Sequence, residues 1–281
     1  MFADNSISSV FKYFDDKLNQ LYSEREIQLF AEITLAVKFD VHKSQIILNE
    51  RKFSESELLQ FRAVVKRLKE KEPIQYILNN AHFYGLEFQV ETGVLIPRPE
   101  TEELVDLILK ENPIGKVLDI GTGSGVIPVS LKSMAPALEV YALDVSDIAL
   151  EIAEKNAKLN KVHVNFKLLD ILHNDLGAEK YNIIVSNPPY VLESDKKEMT
   201  TSVLDYEPGL ALFVTDSEPL KFYKRITTLA ADHLVTGGKL YFEIHENFGN
   251  EVKDVLVQAG FNEVKIVQDL QGKDRIVRGT K

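Results

Sequence analysis

The sequence predicts an α/β protein in which a mostly parallel β-sheet follows a small helical bundle. From residue 116 onward, short apolar runs typical of strands alternate with helical patterns, as in a parallel sheet covered by helices on both faces. Near the end of the chain, Val264–Val267 and Arg275–Val277 are separated by too few residues for a crossover helix, which predicts an antiparallel pair. Residues 1–72 show helical periodicity instead.

Two capping signatures predict the main helices of the bundle. Ser23 precedes Glu26 by three residues, and Ser54 precedes Glu57 in the same way, which is the capping-box pattern of a helix start. Apolar residues follow each box at helical spacing: Ile27, Phe30, Ile33 and Val37 after the first, and Leu58, Phe61, Val65 and Leu68 after the second.

Residues 73–97 change to a two-residue period and predict a β-hairpin that links the bundle to the sheet. The alternation covers His82–Val90 and returns over Gly93–Ile96. Pro99 then predicts a helix start, because proline is favoured in the first helical turn. We therefore expect three regions: a helical bundle at 1–72, a β-hairpin linker at 73–97 and a sheet domain at 98–281.

The composition narrows the class of protein. The 281 residues include no cysteine, which excludes disulfides and thiolate metal sites, and the six histidines have no metal-ligand spacing, so we expect no metal. No apolar run approaches the length of a membrane span, and the first twenty residues contain three aspartates and no apolar core of a signal peptide. We expect a cytoplasmic enzyme that acts as a monomer and does not contact membranes.

The net charge of −10 is unevenly distributed along the chain. Residues 1–80 contain twelve acidic and twelve basic residues, whereas the rest of the chain contains 31 acidic and 21 basic residues. Affinity for nucleic acid depends mainly on basic residues that neutralise phosphates. The acidic second part therefore argues against direct binding to nucleic acid.

A glycine-rich loop follows the predicted strand Lys116–Ile120. The loop Gly121–Gly125 has the spacing Asp-x-Gly-x-Gly-x-Gly, counted from Asp119, and differs from the dinucleotide fingerprint Gly-x-Gly-x-x-Gly. Glycines at alternate positions allow a sharp turn and a close approach to a ligand. The carboxylate of Asp119 would repel a diphosphate, so the loop favours a ligand that carries positive charge.

Two further strand ends complete a candidate cofactor pocket. Asp144 ends the strand Glu139–Leu143, where an acid is placed to bind both ribose hydroxyls, and Asp170 with Ile171 ends a third strand, where they suit the edge and face of adenine. Together these features predict a pocket for S-adenosylmethionine. Taken singly, the glycine turn could serve tight packing, and Asp144 with Ser146 could cap a helix; the order of all the elements favours the pocket.

The tetrapeptide Asn187-Pro188-Pro189-Tyr190 follows the apolar run Ile183–Ser186 and predicts a rigid turn at the end of a buried strand. Proline has no N–H group, so the turn presents carbonyl acceptors and an aromatic ring but few donors. Such a turn can receive a planar NH2 group, either an amide or the exocyclic amine of a base. By itself, the tetrapeptide could also be a stiff surface turn.

The chain resembles the HemK/PrmC-type protein-(glutamine-N5) methyltransferases, which modify class 1 peptide chain release factors. The resemblance runs nearly from end to end and rests on the segments 72–77, 83–86, 96–102, 121–125, 187–190 and 272–275. The segment Pro97–Thr101, about twenty residues before the glycine loop, is its most discriminating part, because the Asn-Pro-Pro-Tyr turn also occurs in adenine-N6 DNA methyltransferases.

This resemblance implies a class I methyltransferase fold, which is Rossmann-like with a mostly parallel seven-stranded sheet and an antiparallel C-terminal strand. It also implies that the preceding helical domain recognises the release factor. The implied substrate is the glutamine of a Gly-Gly-Gln loop, and the product of the cofactor is S-adenosyl-L-homocysteine. The implied cofactor-binding residues are Gly121, Thr122, Gly123, Ser124, Gly125, Asp144, Ile171 and Asn187. The family often has an aromatic residue at the position of Ile171.

The implied catalytic residues are Asn187, Pro188, Pro189 and Tyr190. If the carbonyls of Asn187 and Pro188 each accept one amide N–H, they draw electron density onto the nitrogen and direct its lone pair at the methyl group. Tyr190 would then pack against the amide plane. The main alternative is an adenine-N6 methyltransferase acting on DNA or RNA; another is a sensing or binding module with an inert pocket.

Overall fold

The computed structural model describes residues 2–281 and contains two compact units, one of residues 2–80 and 200–206 and one of residues 81–199 and 207–281. The helices are α1 Ile7–Leu18, α2 Glu24–Phe39, α3 Lys43–Leu48, α4 Glu55–Lys69, α5 Ile74–Leu78, α6 Pro99–Lys110, α7 Val126–Met134, α8 Asp147–Leu159, α9 Thr201–Tyr206, α10 Gly209–Leu212, α11 Lys221–His233 and α12 Gly249–Gln258, with a 3-10 helix at Glu193–Glu198. The strands are β1 Ala81–Phe83, β2 Leu86–Phe88, β3 Lys116–Ile120, β4 Glu139–Asp144, β5 Asn165–Leu168, β6 Tyr181–Ser186, β7 Val191–Leu192, β8 Phe213–Val214, β9 Leu234–Glu243, β10 Asn262–Gln268 and β11 Asp274–Thr280.

The first unit is a helical bundle whose two predicted capping boxes are present. The Ser23 N–H donates to Glu26 at 2.8 Å at the start of α2, and the Ser54 N–H donates to Glu57 at 2.7 Å at the start of α4. Rings of Phe14, Phe39, Phe53 and Phe61 pack in its core. The buried face of α2 differs in detail from the expected stripe, since Ala31 and Leu35 are fully buried whereas Phe30, Ile33 and Val37 are only partly so.

The first unit also includes a segment that is distant in the sequence. Helix α9 belongs to this unit, and the Tyr206 hydroxyl donates to the carbonyl of Glu70 at 2.8 Å, at the end of α4. Helix α5 likewise belongs to it, in a segment whose sequence suggested strand alternation.

The predicted hairpin is present only in part. Strands β1 and β2 form an antiparallel pair, in which Ala81 lies opposite Phe88. The expected strand Gly93–Ile96 is not a strand, although Val94 and Ile96 are buried. Its backbone has a different partner, because the Ile96 N–H donates to a carboxylate oxygen of Glu207 at 3.2 Å.

The second unit contains a seven-stranded sheet in the order β10-β11-β9-β6-β3-β4-β5. Strands β9, β6, β3, β4 and β5 pair in parallel, whereas β11 is antiparallel to both of its neighbours, as the sequence predicted. Apolar clusters cover both faces of the sheet, one mainly with α6, α7 and α8 and the other mainly with α11 and α12.

The order in which the chain connects the strands indicates where this sheet binds a ligand. From β3 the chain proceeds outward through β4 and β5, and it then returns to the other side of β3 at β6. Ligands of such sheets bind beyond the carboxyl ends of the strands, at the point where the strand order reverses. In this protein that point lies between β3 and β6, at the ends that carry the glycine loop and the Asn187 turn.

Candidate active site

A cavity of about 360 Å³ lies at the carboxyl ends of β3, β4 and β6, within the second unit. Its volume is in the usual range for a small-molecule site. Loops that the sequence singled out form its walls, since Gly121–Ser124, Asp144, Ile171 and Asn187–Pro189 all line it. Two predicted site residues, Gly125 and Tyr190, do not line this cavity.

The three glycines of the loop have positive φ angles, of 76° at Gly121, 54° at Gly123 and 80° at Gly125, and they divide into two roles. A Cβ atom added at Gly121 or Gly123 would meet no atom within 4 Å, so the backbone is open to a ligand there. A Cβ added at Gly125 would lie 3.0 Å from the Cβ of Ala153 in α8. Gly125 therefore allows α7 and α8 to approach each other closely.

Asp119 is fully buried near the end of β3, beneath the glycine loop. Neither carboxylate oxygen has a hydrogen-bond partner in the part of the chain that the structure describes, and the same holds for the Thr122 hydroxyl. Burial raises the pKa of Asp119 to about 7, opposed in part by the nearby Thr122 hydroxyl and increased by the charge of Asp144. A buried acceptor pair without partners favours a ligand that supplies positive charge or donors.

Asp144 ends β4 and connects the glycine loop to the start of α8. One carboxylate oxygen accepts the Gly123 N–H at 2.8 Å, and the other accepts the Ser146 N–H at 2.9 Å. The cap of α8 is Ser146, whose hydroxyl accepts the Ala149 N–H, so Asp144 itself does not cap the helix. Because each carboxylate oxygen has a second acceptor position, Asp144 retains capacity for two ligand hydroxyls.

Ile171 lies in an apolar wall of the cavity, together with Leu169, Leu210 and Phe222. The neighbouring Asp170 bonds locally, because its oxygens accept the Leu172 N–H at 2.9 Å and contact the His173 ring at 2.7 Å. That contact with His173 lowers the pKa of Asp170. An apolar wall with one ionised carboxylate at its margin suits a flat heterocycle.

The turn after β6 is held by bonds to its surroundings. The Ser186 hydroxyl donates to the carbonyl of Ile120 at 2.7 Å, which ties the ends of β6 and β3 together. The amide nitrogen of Asn187 donates to the Thr101 hydroxyl oxygen at 3.3 Å, and that hydroxyl donates to Glu243 at 2.7 Å. The amide oxygen of Asn187 is therefore the atom on the side away from Thr101.

Tyr190 lies behind this turn rather than in the cavity wall. Its hydroxyl donates to the second carboxylate oxygen of Glu243 at 3.1 Å, and its ring packs edge-on against the His245 ring. Burial, followed by the charge of Glu243, raises the pKa of Tyr190. The phenol therefore stays protonated and acts as a donor to Glu243.

Glu243 is a functional candidate that the sequence analysis missed. It ends β9 next to β6, it is fully buried, and burial raises its pKa while Thr101, Tyr190 and Arg275 oppose that rise. The signal that could have revealed it is the one used for Asp119 and Asp144, an acid at the end of an apolar strand run.

The sequence analysis also missed the pair formed by Arg98 and Glu207. The guanidinium of Arg98 donates to Glu207 at 2.6 Å, and Glu207 is only 6% exposed. Arg98 also lines the cavity, in contrast to its partner. Glu207 has no neighbouring motif in the sequence, so only the three-dimensional structure could identify the pair.

Residues 2–281 contain neither a cluster of potential metal ligands nor a membrane-spanning helix. This part of the chain brings together no group of three or more potential metal ligands. It also contains no helix with the length and apolar character required to cross a bilayer.

Comparisons with known proteins agree with the geometry. Residues 100–205 match the methyltransferase small domain, and residues 10–78 match the PrmC N-terminal domain. The chain is 44% identical to a release factor glutamine methyltransferase of Flavobacterium psychrophilum, over 94% of this chain and 95% of that protein. It is 42% identical to the protein of the same name from Bacteroides thetaiotaomicron, over 96% and 98% of the two chains.

Solved structures support the fold. A methyltransferase from Pyrococcus furiosus aligns with a TM-score of 0.53 and 20% identity, over 78% of this chain and 97% of that chain. A 16S rRNA N2 G1207 methyltransferase from T. thermophilus, in complex with AdoMet and guanosine, aligns with a TM-score of 0.51 and 17% identity, over 72% and 49% of the two chains. The predicted class I methyltransferase fold is thereby confirmed.

Proposed function

The chain belongs to the release factor glutamine methyltransferases, and on this premise we propose that it methylates the side-chain amide nitrogen of the glutamine in the Gly-Gly-Gln motif of class 1 peptide chain release factors. S-adenosyl-L-methionine is the methyl donor, and S-adenosyl-L-homocysteine is the product. The observation that carries this proposal is the orientation of Asn187, whose amide nitrogen is bound to Thr101, so that its carbonyl remains for a substrate NH2 group.

The residues of the cavity fit S-adenosylmethionine. The backbone at Gly121 and Gly123 is open where a side chain would otherwise stand. Asp119 is not part of the cavity lining; it lies buried beneath the glycine loop, and its two partnerless oxygens favour a cationic ligand nearby. Asp144 retains acceptor capacity for the ribose hydroxyls, and Ile171 lies in an apolar wall suited to adenine. We assign cofactor binding to these residues together with Thr122 and Ser124, which line the same cavity. Gly125 supports the loop by packing against Ala153.

When bound in this cavity, S-adenosylmethionine would supply an electrophilic methyl group, and its sulfonium sulfur would take the electron pair of the broken carbon–sulfur bond as the substrate nitrogen bonds to the methyl carbon. The amide nitrogen is a poor nucleophile because its lone pair is delocalised into the carbonyl. Acceptance of its two N–H groups by the carbonyls of Asn187 and Pro188 increases electron density on nitrogen and orients the lone pair. The nitrogen then releases one proton to water or to a group outside the turn, since the turn itself contains no general base.

The same two acceptors explain the choice of substrate. An ester or acid in place of the amide would leave at least one carbonyl of the turn without its donor, at a cost of ~1–3 kcal/mol for each buried unpaired group. Alignment of nitrogen, methyl carbon and sulfur is expected to provide most of the rate enhancement, because well-oriented groups can supply ~7–11 kcal/mol. Pro188 and Pro189 keep the turn rigid and contribute no competing N–H donors.

We assign recognition of the release factor to the N-terminal helical region, residues 1–72, with residues 73–97 as the linker and 98–281 as the catalytic domain. This assignment rests on the match of residues 10–78 to the PrmC N-terminal domain. A chain that lacks residues 1–80, the contiguous part of the first compact unit, should require more release factor for half-maximal rate while it binds S-adenosylmethionine with unchanged affinity. Full efficiency with release factor would refute the assignment.

The proposal places the enzyme in the cytoplasm as a monomer with a protein substrate. The alternative, an adenine-N6 methyltransferase on DNA or RNA, is not favoured, because the similar proteins are glutamine methyltransferases and the acidic residues outnumber the basic ones in the second part of the chain. The intact Asn187 turn and glycine loop likewise argue against an inert pocket.

One experiment tests the proposal directly. The full chain is incubated with methyl-labelled S-adenosylmethionine and a purified bacterial class 1 release factor, and the labelled residue is mapped by mass spectrometry. Label on the glutamine of Gly-Gly-Gln is the expected result. A matched release factor in which this glutamine is replaced by glutamate should stay unlabelled. Label on another residue, or on added DNA or RNA in place of the protein, would overturn the proposal.

A further inference from the structure

Two segments that mark the sequence have so far been given no role of their own, although the first contains Thr101, which binds the Asn187 amide. The first is Pro97–Thr101, at the start of α6, and the second is Gly272–Arg275, at the end of the turn after β10 and the start of β11. In the structure, each places one side chain beside the same buried carboxylate, that of Glu243.

Thr101 joins Glu243 to the Asn187 turn. The Thr101 hydroxyl donates to a carboxylate oxygen of Glu243 at 2.7 Å, and ionised Glu243 can only accept. The Thr101 oxygen can then only accept, and its second partner is the amide nitrogen of Asn187 at 3.3 Å. The opposite orientation of the Asn187 amide would bring two acceptors together. The direction of this chain of bonds therefore decides which amide atom of Asn187 is left for the substrate.

The second carboxylate oxygen of Glu243 accepts the Tyr190 hydroxyl at 3.1 Å, so both ends of the Asn187–Tyr190 turn are tied to one side chain. Arg275 supports the charged form of Glu243 by its proximity. The guanidinium is itself held by Asp269, which accepts its Nε–H at 3.1 Å and also accepts the Lys273 N–H at 3.0 Å in the same turn. The second sequence segment thus places a positive charge near Glu243, which opposes the rise in its pKa and favours the ionised form that accepts hydrogen bonds.

We propose that Glu243 is a positioning residue that acts through Thr101, and that this pair sets the orientation of the Asn187 amide so that its oxygen receives the substrate N–H. The inference rests on the proposed function, because it assumes an amide substrate at the Asn187 turn. It adds a requirement that the family assignment does not contain, namely the direction of the hydrogen bonds behind the turn.

The decisive variant is Thr101→Val, which has nearly the same shape as threonine but lacks the hydroxyl. We expect kcat for release factor methylation to fall about tenfold, or about 1.4 kcal/mol, which is the size of one neutral hydrogen bond. KM for the release factor and the dissociation constant of S-adenosylmethionine should stay within about twofold of wild type, because neither binding surface is removed. Thr101→Ser restores the hydroxyl and should recover kcat to within about threefold of wild type.

Glu243→Gln tests the direction of the bonds with little change in shape. The carboxamide has a donor and an acceptor, so it can donate to Thr101 and permit the reversed orientation of Asn187. This variant should also lower kcat with little change in cofactor affinity. In the double variant Thr101→Val/Glu243→Gln, the fall should be no greater than that of the more impaired single variant, because both changes act through one connection.

The matched control is Ser130→Ala, which removes another fully buried hydroxyl of the same unit. Ser130 lies in α7 and its hydroxyl has no partner within residues 2–281, so kcat should be unchanged. Melting temperatures of all variants report whether each one folds.

The outcomes separate the two hypotheses. If wild-type enzyme labels no release factor glutamine, the proposed function fails. If wild type is active but Thr101→Val retains its kcat, or Thr101→Ser is as impaired as Thr101→Val, only the positioning role is overturned. Multiplicative losses in the double variant, or a loss of cofactor affinity as large as the loss of kcat, would also overturn it. Should Thr101→Val fail to fold, Glu243→Gln decides, because unchanged kcat in that variant refutes the role.

Discussion

Asp119 offers a test in which the stability of the protein and its affinity for the cofactor change in opposite directions. Its carboxylate is fully buried without a hydrogen-bond partner among residues 2–281, and burial raises its pKa from 3.8 to about 7. A raised pKa means that the folded protein holds the proton more tightly than the unfolded chain. The stability that this group contributes is therefore complete below about pH 3.8 and is lost as the pH rises to about 7.

The rise in the pKa of Asp119 from 3.8 to about 7 corresponds to a cost of about 4 kcal/mol for the ionised group at about pH 8. Asp119→Asn removes the titration but leaves a buried amide whose unpaired polar atoms cost ~1–3 kcal/mol at every pH. The difference between measurements at about pH 6 and at about pH 8 cancels that constant cost. Both pH values lie above the isoelectric point of 5.2. Between them, the stability of the variant relative to wild type should increase by about 1 kcal/mol.

The assay is thermal unfolding of the ligand-free protein, followed by circular dichroism. A change of about 1 kcal/mol corresponds to a relative rise in melting temperature of ~2–4 °C for the catalytic unit between the two pH values. As a control, Asp216→Asn should change the melting temperature by the same amount at both pH values. Hydrogen bonds with Ser194 lower the pKa of Asp216, so this carboxylate stays ionised throughout the range.

Cofactor affinity should show the opposite effect of the same substitution. Because a cationic ligand stabilises the ionised carboxylate, wild type should bind S-adenosylmethionine about tenfold more tightly at about pH 8 than at about pH 6. The Asp119→Asn variant should bind it at least about tenfold more weakly at about pH 8, with little pH dependence. Titration calorimetry measures both. Equal pH dependence in the two proteins, or a relative stability that does not change with pH, would refute this account of Asp119.

Three further substitutions test separate parts of the site. Asn187→Ala should lower kcat by about 100-fold while cofactor affinity changes little, because it removes an acceptor that orients the substrate; near-normal turnover would exclude that role. Asp144→Ala should weaken cofactor binding by about tenfold or more, since two ligand hydroxyls lose their acceptor, and an unchanged dissociation constant would show that the ribose lies elsewhere. Gly125→Ala should lower the stability by ~1–3 kcal/mol, because φ is +80° and the new Cβ would lie 3.0 Å from Ala153. Combination with Ala153→Gly should restore only the part of this loss that is due to the contact. Full restoration would exclude backbone strain at Gly125.

Periodicity and turn chemistry were sufficient for the general fold and most of the cavity wall. The capping boxes at Ser23 and Ser54, the parallel core of the sheet and the antiparallel final pair are local consequences of residue order. The cavity elements could be predicted for the same reason, because parallel strands bring their carboxyl ends to one edge and each predicted site residue follows a strand end. Asp144 and Asn187, which line the cavity, were identified in this way, and so was Asp119, which lies buried outside the cavity lining.

The segment Gly93–Ile96 shows where local pattern is insufficient. Alternating apolar residues indicated a strand, and the side chains are indeed buried, but the backbone is bonded to the Glu207 side chain instead of to a neighbouring strand. An alternating pattern reports which side chains face a core and does not report the partner of the backbone. That partner lies more than a hundred residues away in the sequence.

The sequence alone determined that this chain has a helical bundle followed by a methyltransferase sheet, with a glycine loop and the Asn187-Pro188-Pro189-Tyr190 turn at strand ends, because each of these depends on neighbouring residues. Only the tertiary structure decided that Gly125 packs against α8, that Tyr190 lies outside the cavity lining, and that Thr101 bonds to both Asn187 and Glu243. These contacts join residues 28 to 142 positions apart, for instance Thr101 with Glu243. Long-range pairing is set by how the strands order in the sheet and how the helices pack on it, and no local pattern encodes that.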